Sequence, residues 1–428
     1  MHKIAVIGGG STYSPELMEG LIDRAAELRI GEVVSHDTDS RRLGVVGSLC
    51  ARMCRAAGDP FKFALTTDPR KAVCGAGVIF TQIRVGGQQA RILDEKTGMK
   101  FGLVGQETTG VGGFAKALRT IPAVLSICRL VEKLAPRAWM INFTNPSGIV
   151  TEAVLRHSGV RCIGLCNIPV NLRIDIASAL GVAPESVSPD YVGLNHLAWV
   201  RRVFVDGQDV SRRLFDSRLT PHASRLRGRP ANIPDMDYPP ALLRALGMFP
   251  AYYNRYYYME ESMKRLARRK KLTRGEEVLA IERRLLEMYA NPKLNRKPAV
   301  LSKRGGAYYS KAALDVASAL LNDSNDTQIV NVQNHGAIEC FRDDAVVEVP
   351  CKVGKTGAKP IRIGDVGPHI LGLMHHVKAY EQLTIEAALT RSYDKALLAL
   401  LTHPLAGGAE KAPRVLDELN RVHRLRLR

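Results

Sequence analysis

Through the first 170 residues, short apolar runs rich in β-branched side chains alternate with longer stretches of helical periodicity. KIAVIG (3–8), EVVSHD (32–37), GVIFTQI (77–83), WMINFT (139–144) and RCIGLC (161–166) read as strands. Helical patterns lie between them, near 15–29, 40–57 and 114–133. This alternation predicts a parallel sheet with helices on both faces. Ser14-Pro15-Glu16 marks a helix start, with Ser as N-cap, Pro at the first helical position and an acid in the first turn. Near residue 170 the pattern changes. YVGLNHLAWVRRVFVDG (191–207) predicts a strand followed by a second strand or hairpin, and a charged, helix-rich stretch runs on to about 325. TQIVNVQNHGAIECF and AVVEVPCKVG are two further strand-like segments, and ILGLMHHVKAYEQLTIEAALT is strongly helical. The Arg- and Pro-rich segment 208–240 has weak periodicity and is expected to be an exposed loop or lid. No repeat with a period of 20–50 residues is visible.

Composition narrows the class. The chain has 428 residues, 46% hydrophobic and 24% charged, which excludes a disordered or fibrous protein and suggests two to three domains. No run approaches the ~18 apolar residues of a membrane-spanning helix, and the first apolar stretch is too short for a signal peptide. Lys and Arg number 61 against 42 Asp and Glu, a net charge of +19. The basic residues cluster at 212–229, at 264–274 and in the tail RVHRLRLR. None is interleaved with aromatics as a base-stacking surface would be, so solvated faces rather than nucleic-acid or membrane contacts are expected. Eight cysteines at this density fit a reduced, cytoplasmic protein with mostly buried thiols.

Several motifs carry chemistry. VIGGGSTYSPEL (6–17) frames a glycine-rich turn between a strand and a helix start, where free backbone N–H groups could hold a pyrophosphate. Gly8 and Gly10 match the first two glycines of G-x-G-x-x-G, Ser11 and Thr12 complete the turn, and Tyr13 departs from the fingerprint at its sixth position. Asp37, at the end of the second strand, is the acid expected on the ribose hydroxyls and favours NAD over NADP. FGLVGQETTGVGGF (101–114) places a lone Glu107 among five glycines. INFTNPSG (141–148) ends a strand, where Asn142 and Asn145 could meet ligand hydroxyls. Cys166 in GLCNIP and His196 in GLNHLAW could be two ligands of a divalent metal, and donor softness alone points to zinc. The tyrosine-rich FPAYYNRYYY (249–258) offers a phenol that a nearby metal or cation could turn into a base.

Taken in order, GGGSTYSPEL, GLVGQETTG, NFTNPSG, GLCNIP, GLNHLAW and P-x-x-Y-x-R-Y-Y closely resemble glycoside hydrolase family 4 over nearly the whole chain. Within it the chain is most similar to the 6-phospho-β-glucosidases, because Asn167 follows the cysteine where the α-glucosidase branch usually carries an acid. The resemblance implies a Rossmann-like, doubly wound NAD-binding domain over 1–168, followed over 169–428 by a mixed α+β domain for substrate, metal and oligomerisation, as in lactate and malate dehydrogenases. It implies NAD and a divalent metal, usually manganese, held by Cys166 and His196. Tyr253 would be the base, tuned by Glu107; Arg91, Asn145 and Asn167 would bind substrate, and Arg274 would lie near the sugar phosphate. The identity of the general acid stays open.

Family 4 stands outside the usual two-carboxylate scheme of glycosidases. The implied reaction oxidises C3 of the sugar by hydride transfer to NAD, removes the acidified C2 proton, eliminates the C1 substituent, adds water and returns the hydride. The expected substrates are 6-phospho-β-glucosides, phosphorylated disaccharides or aryl glucosides, and the expected assembly is a homodimer or homotetramer. Two other enzymes remain as alternatives: a family 4 glycosidase acting on α-linked or unphosphorylated sugar, and a net NAD-dependent 2-hydroxy acid dehydrogenase. A non-catalytic NAD-binding regulator is a third.

Overall fold

A computed structural model of the chain describes residues 1–215, 233, 236–306 and 308–428. The basic run expected at 212–229 and the lid expected at 208–240 therefore fall largely outside the described residues.

The five anticipated strands all form, as β1 (His2–Ile7), β2 (Ile30–His36), β4 (Val78–Thr81), β5 (Trp139–Asn142) and β6 (Arg161–Gly164), joined by β3 (Lys62–Thr66). They pair in parallel in the order β3-β2-β1-β4-β5-β6, the doubly wound nucleotide-binding arrangement. Strand β3 carries little apolar signal because it lies at the sheet edge with its side chains half exposed or exposed. The order reverses between β1 and β4, so a crevice opens beyond their carboxyl ends, where ligands of such sheets bind.

A smaller antiparallel sheet is built from β7 (Val187–Leu194), β8 (Leu197–Val205), β9 (Gln208–Asp209) and β10 (Phe249–Pro250), with β7 and β8 forming the anticipated hairpin. The last strands, β11 (Asp326–Gln333), β12 (Val346–Gly354) and β13 (Gly357–Pro360), return to the first sheet and extend it antiparallel from β6. One nine-stranded sheet thus takes strands from both ends of the chain.

Helices cover both faces. Gly110–Leu134 is buried along most of its length beneath the sheet. The first helix starts at Ser14, with Pro15 in its first turn, and ends at Asp23 rather than near 29. Ser14 is not its N-cap: the hydroxyl is spent donating to the Gly9 carbonyl at 2.9 Å. The helix Gly87–Lys100 has no apolar periodicity because it turns charge inward. Arg91 pairs with Glu95 at 2.8 Å, and Asp94 takes the Arg119 fork at 2.7 and 2.9 Å. Among the described residues, no helix is long and apolar enough to cross a membrane. Most cysteines are buried as expected, but Cys74 is exposed.

Candidate active site

A cavity of about 690 Å³ opens at the switch point. One wall is the glycine turn. Gly8 sits at φ +97°, and a Cβ there would meet the Gln82 carbonyl at 2.8 Å, so only glycine lets β1 and β4 end this close together. A Cβ on Gly10 would strike the Asp37 carboxylate at 2.9 Å, the group that accepts the Gly10 N–H. Gly8, Gly10, Ser11 and Asp37 all line the cavity. Thr12 does not: it is fully buried behind the turn, its hydroxyl donating to Glu282 at 3.2 Å.

The opposite wall carries the other motifs, including Arg91, Glu107, Asn145, Asn167, His196 and Tyr253. Glu107 is the focus of its charge. Its carboxylate contacts Arg84, and lies 3.0 Å from Arg91 and 2.7 Å from Lys116. Burial alone would raise its pKa, but the three cations hold it well below the usual carboxylate range. Lys116 is pushed down to about 7, first by burial and then by the Arg84 charge, with Glu107 opposing.

His196 occupies the tip of the β7–β8 hairpin at φ +65°. A non-glycine residue in that conformation costs roughly 1–3 kcal/mol and persists only where its surroundings fix it. Here the preceding residue is clamped: the Asn195 amide donates to Glu348 at 3.1 Å and accepts the Gly148 N–H at 3.3 Å. Burial pushes the His196 imidazole down to about 3, keeping it neutral, and its Nδ1 is buried without a hydrogen-bond partner. Strand β8 also fixes Tyr253. Pro250 pairs with Trp199, the Ala251 N–H donates to the Ala198 carbonyl at 2.9 Å, and the Ala198 N–H donates to Asn254 Oδ1 at 3.1 Å. The 3-10 turn Tyr252–Asn254 then lays the Tyr253 ring flat on His196.

Cys166 does not line the cavity and is buried directly behind it. Burial, reinforced by the Glu348 charge, pushes its thiol well up, against hydrogen bonds from Asn195 and Tyr309. Tyr309 lines the cavity and links Cys166 to Asn145, whose amide nitrogen lies 3.5 Å from the phenol oxygen. Asn145 Oδ1 is buried without a partner. Among the described residues, no three His, Cys, Asp or Glu side chains converge as a closed metal cage. The two candidate donors are a neutral His196 imidazole with an unspent nitrogen at the cavity and a Cys166 thiol behind its wall, so most positions on a metal would be left to other oxygens. Such a set fits a metal that also holds substrate.

Arg274 lies away from the cavity wall. Its guanidinium bonds Glu277 at 3.1 Å and the Lys303 and Arg304 carbonyls at 2.9 and 3.3 Å. It thereby holds the loop whose Arg304, Gly305 and Gly306 do line the cavity. Arg84, Lys116, Tyr309, Arg304 and Glu282 are site residues that the motifs do not announce. For Glu282 a signal exists: it takes an apolar position in the buried stripe Val278, Glu282, Leu285 and Tyr289 of the helix Arg274–Ala290.

Known proteins match the chain along its length. Residues 3–182 match the model of the family 4 glycosyl hydrolases, and residues 191–406 match that of the family 4 glycosyl hydrolase C-terminal domain. A probable 6-phospho-beta-glucosidase of Bacillus subtilis is 42% identical over 99% of this chain and 96% of its own. The 6-phospho-beta-glucosidase of Thermotoga maritima, solved with manganese, NAD+ and glucose-6-phosphate, superposes with a TM-score of 0.91 at 39% identity, covering 100% of both chains. Malate dehydrogenase from Plasmodium falciparum, in complex with NADH, shares only the fold, at 15% identity and a TM-score of 0.55 over 91% of this chain and 99% of its own. With both halves matched by the family's models and a relative this similar along the full length, the chain belongs to the family 4 glycosyl hydrolases.

Proposed function

We propose that this chain hydrolyses 6-phospho-β-glucosides to glucose 6-phosphate and aglycone, with NAD and manganese as cofactors. One observation carries the reading: the glycine turn with Asp37, the Tyr253–His196 stack and the Asn145 amide all face a single cavity. Relatives at about 40% identity bear the 6-phospho-β-glucosidase name. Manganese in the Thermotoga maritima relative supersedes the zinc that donor softness suggested.

The turn at Gly8, Gly10, Ser11 and Thr12, with Asp37, would hold NAD; Cys166 and His196 would hold the metal. When bound, the two would supply reversible oxidation at C3 and Lewis-acid stabilisation of the carbonyl formed there and of its enolate. The chain's own residues orient the sugar and move protons. Tyr253 would take the C2 proton at its phenol oxygen, in a position fixed by the His196 ring beneath it. Glu107 draws the charge of Arg84, Arg91 and Lys116 to that part of the cavity, where positive charge favours a phenolate. Asn145, Asn167 and Arg91 would orient the sugar hydroxyls. The sugar phosphate would lie near Arg274. Asn167 offers no carboxylic acid, and no general acid is assigned.

The substrates are formed inside the cell by phosphorylation, which supports a cytoplasmic enzyme; we assign it a homodimeric or homotetrameric state, with the first domain at 1–168 and the second at 169–428. The test is p-nitrophenol release from the β-glucoside 6-phosphate, with NAD+ and Mn²⁺ omitted in turn. Release that needs both, without net NADH, is expected. Accumulating NADH would favour the dehydrogenase alternative, and turnover of the α-anomer or the unphosphorylated sugar alone would move the specificity.

A further inference from the structure

The glycine turn spends its donors inside the protein. Gly8 and Gly9 both donate to the His36 carbonyl, at 2.9 and 2.7 Å; Ser11 donates to the Gly8 carbonyl at 3.1 Å and Ser14 to that of Ser11 at 2.9 Å. Gly10 donates to Asp37 at 2.9 Å and Tyr13 to the Ser11 hydroxyl at 3.3 Å. The free N–H groups that a glycine-rich helix start ordinarily offers a diphosphate are thus largely taken. A diphosphate buried here still needs positive partners.

The structure supplies them from the far end of the chain. Arg304 lines the cavity, its guanidinium mostly buried, with Nε 3.2 Å and one terminal nitrogen 3.1 Å from Glu282 Oε1. Arg42 approaches the other Glu282 oxygen at 3.3 Å. Well-formed charge-assisted bonds run ~2.7–2.9 Å, so both contacts are loose. One carboxylate faces two guanidiniums and also accepts from Thr12 and Gln88, which leaves positive charge over. Arg304 is held ready. Gly305 and Gly306 adopt φ +94° and +92°, the Gly306 carbonyl accepts the Tyr13 hydroxyl at 2.8 Å, and Arg274 grips the carbonyls before them. Burial, reinforced by Arg84, lowers the Arg304 guanidinium from its ordinary value, a strain that an anion would relieve.

We propose that Arg304 binds the diphosphate of the dinucleotide, exchanging its loose contact with Glu282 for the ligand's phosphate oxygens. This rests on the NAD reading above and adds to it a ligand contributed by the second half of the chain. Glu282 then serves as a place-holder that keeps Arg304 and Arg42 aimed at the turn while the cofactor is away.

The test is direct binding by titration calorimetry, without metal, using NAD+, ADP, adenosine and glucose 6-phosphate as probes. Arg304→Ala is expected to weaken NAD+ and ADP ~10–100-fold, the worth of a charge-assisted bond, and to leave adenosine within ~2-fold. Arg304→Lys keeps the charge without the fork and should recover part of the loss. Unchanged ADP affinity in Arg304→Ala would overturn the proposal. So would a parallel loss of adenosine, or a loss confined to glucose 6-phosphate. Should Arg304→Ala fail to fold, ADP binding by Arg304→Lys decides: a loss of ~3-fold or more supports the proposal, and wild-type affinity refutes it. Wild-type protein that binds none of the nucleotides would instead remove the NAD reading itself.

Discussion

The rings of Tyr253 and His196 lie parallel, 7° apart, with centroids separated by 3.7 Å. Residues 57 positions apart meet because strand β8 begins at the turn carrying His196 and pairs, at Trp199 and Val200, with the Phe249–Pro250 segment leading into Tyr253. The candidate base and the candidate metal ligand are therefore one packed unit, and disturbing either ring should disturb the other.

Tyr253→Phe keeps the stack and removes only the hydroxyl. Turnover on the β-glucoside 6-phosphate is expected to fall ~10²–10⁴-fold, the usual worth of a positioned base. NAD+ affinity and thermal midpoint should stay near wild type. Unchanged kcat would remove Tyr253 as the base.

Cys166→Ser replaces the thiol behind the cavity with a harder, weaker donor. We expect Mn²⁺ affinity, read from free Mn²⁺ by electron paramagnetic resonance, to drop at least ~10-fold, as for loss of a ligand or its support. Binding of NAD+ should survive. A variant with wild-type Mn²⁺ affinity would exclude Cys166 from the metal set.

Glu107→Gln leaves Arg84, Arg91 and Lys116 crowded without their shared counter-charge. Removing one partner of a buried ionic group costs roughly 3–5 kcal/mol. Part of that is offset here because the Arg84 head reaches solvent. A clear fall in the denaturation midpoint is expected, and a midpoint equal to wild type would show that the cluster is screened.

A buried carboxyl predicts a pH slope in stability. Glu381 is pushed up to about 7 by burial, which outweighs the attraction of Lys378, while Glu152 and Glu348 add repulsion. Its pKa is raised on folding, so the protonated form favours the native state. The contribution is whole below about pH 4.5, the unfolded value, and is lost as pH rises to about 7. Glu381→Gln should flatten the stability curve across that window, measured as denaturant midpoints from pH 4 to 8. An unaltered slope would assign the titration elsewhere.

The sequence by itself determined the frame of the sheet and nominated Gly8, Gly10, Asp37, Glu107, His196 and Tyr253, all of which line the cavity. The strands β1, β2, β4, β5 and β6 announce themselves because each is a buried apolar run, and Gly8, Gly10 and Asp37 because a nucleotide turn admits few alternatives. Tyr253, Cys166 and His196 stood out through family motifs rather than spacing, since nothing local ties residues 30 to 87 positions apart. Only the tertiary structure decided the polar interior. The helix Gly87–Lys100 hides from periodicity because its buried face is ionic, and Lys116 and Arg84 acquire meaning only where they converge on Glu107. Arg274 braces the 303–304 carbonyls and so sets Arg304 on the cavity wall, a contact between distant parts of the chain that no local pattern announces. Apolar burial is written locally, residue by residue. A charge is placed by the partner it meets, and that partner arrives from a distant part of the chain.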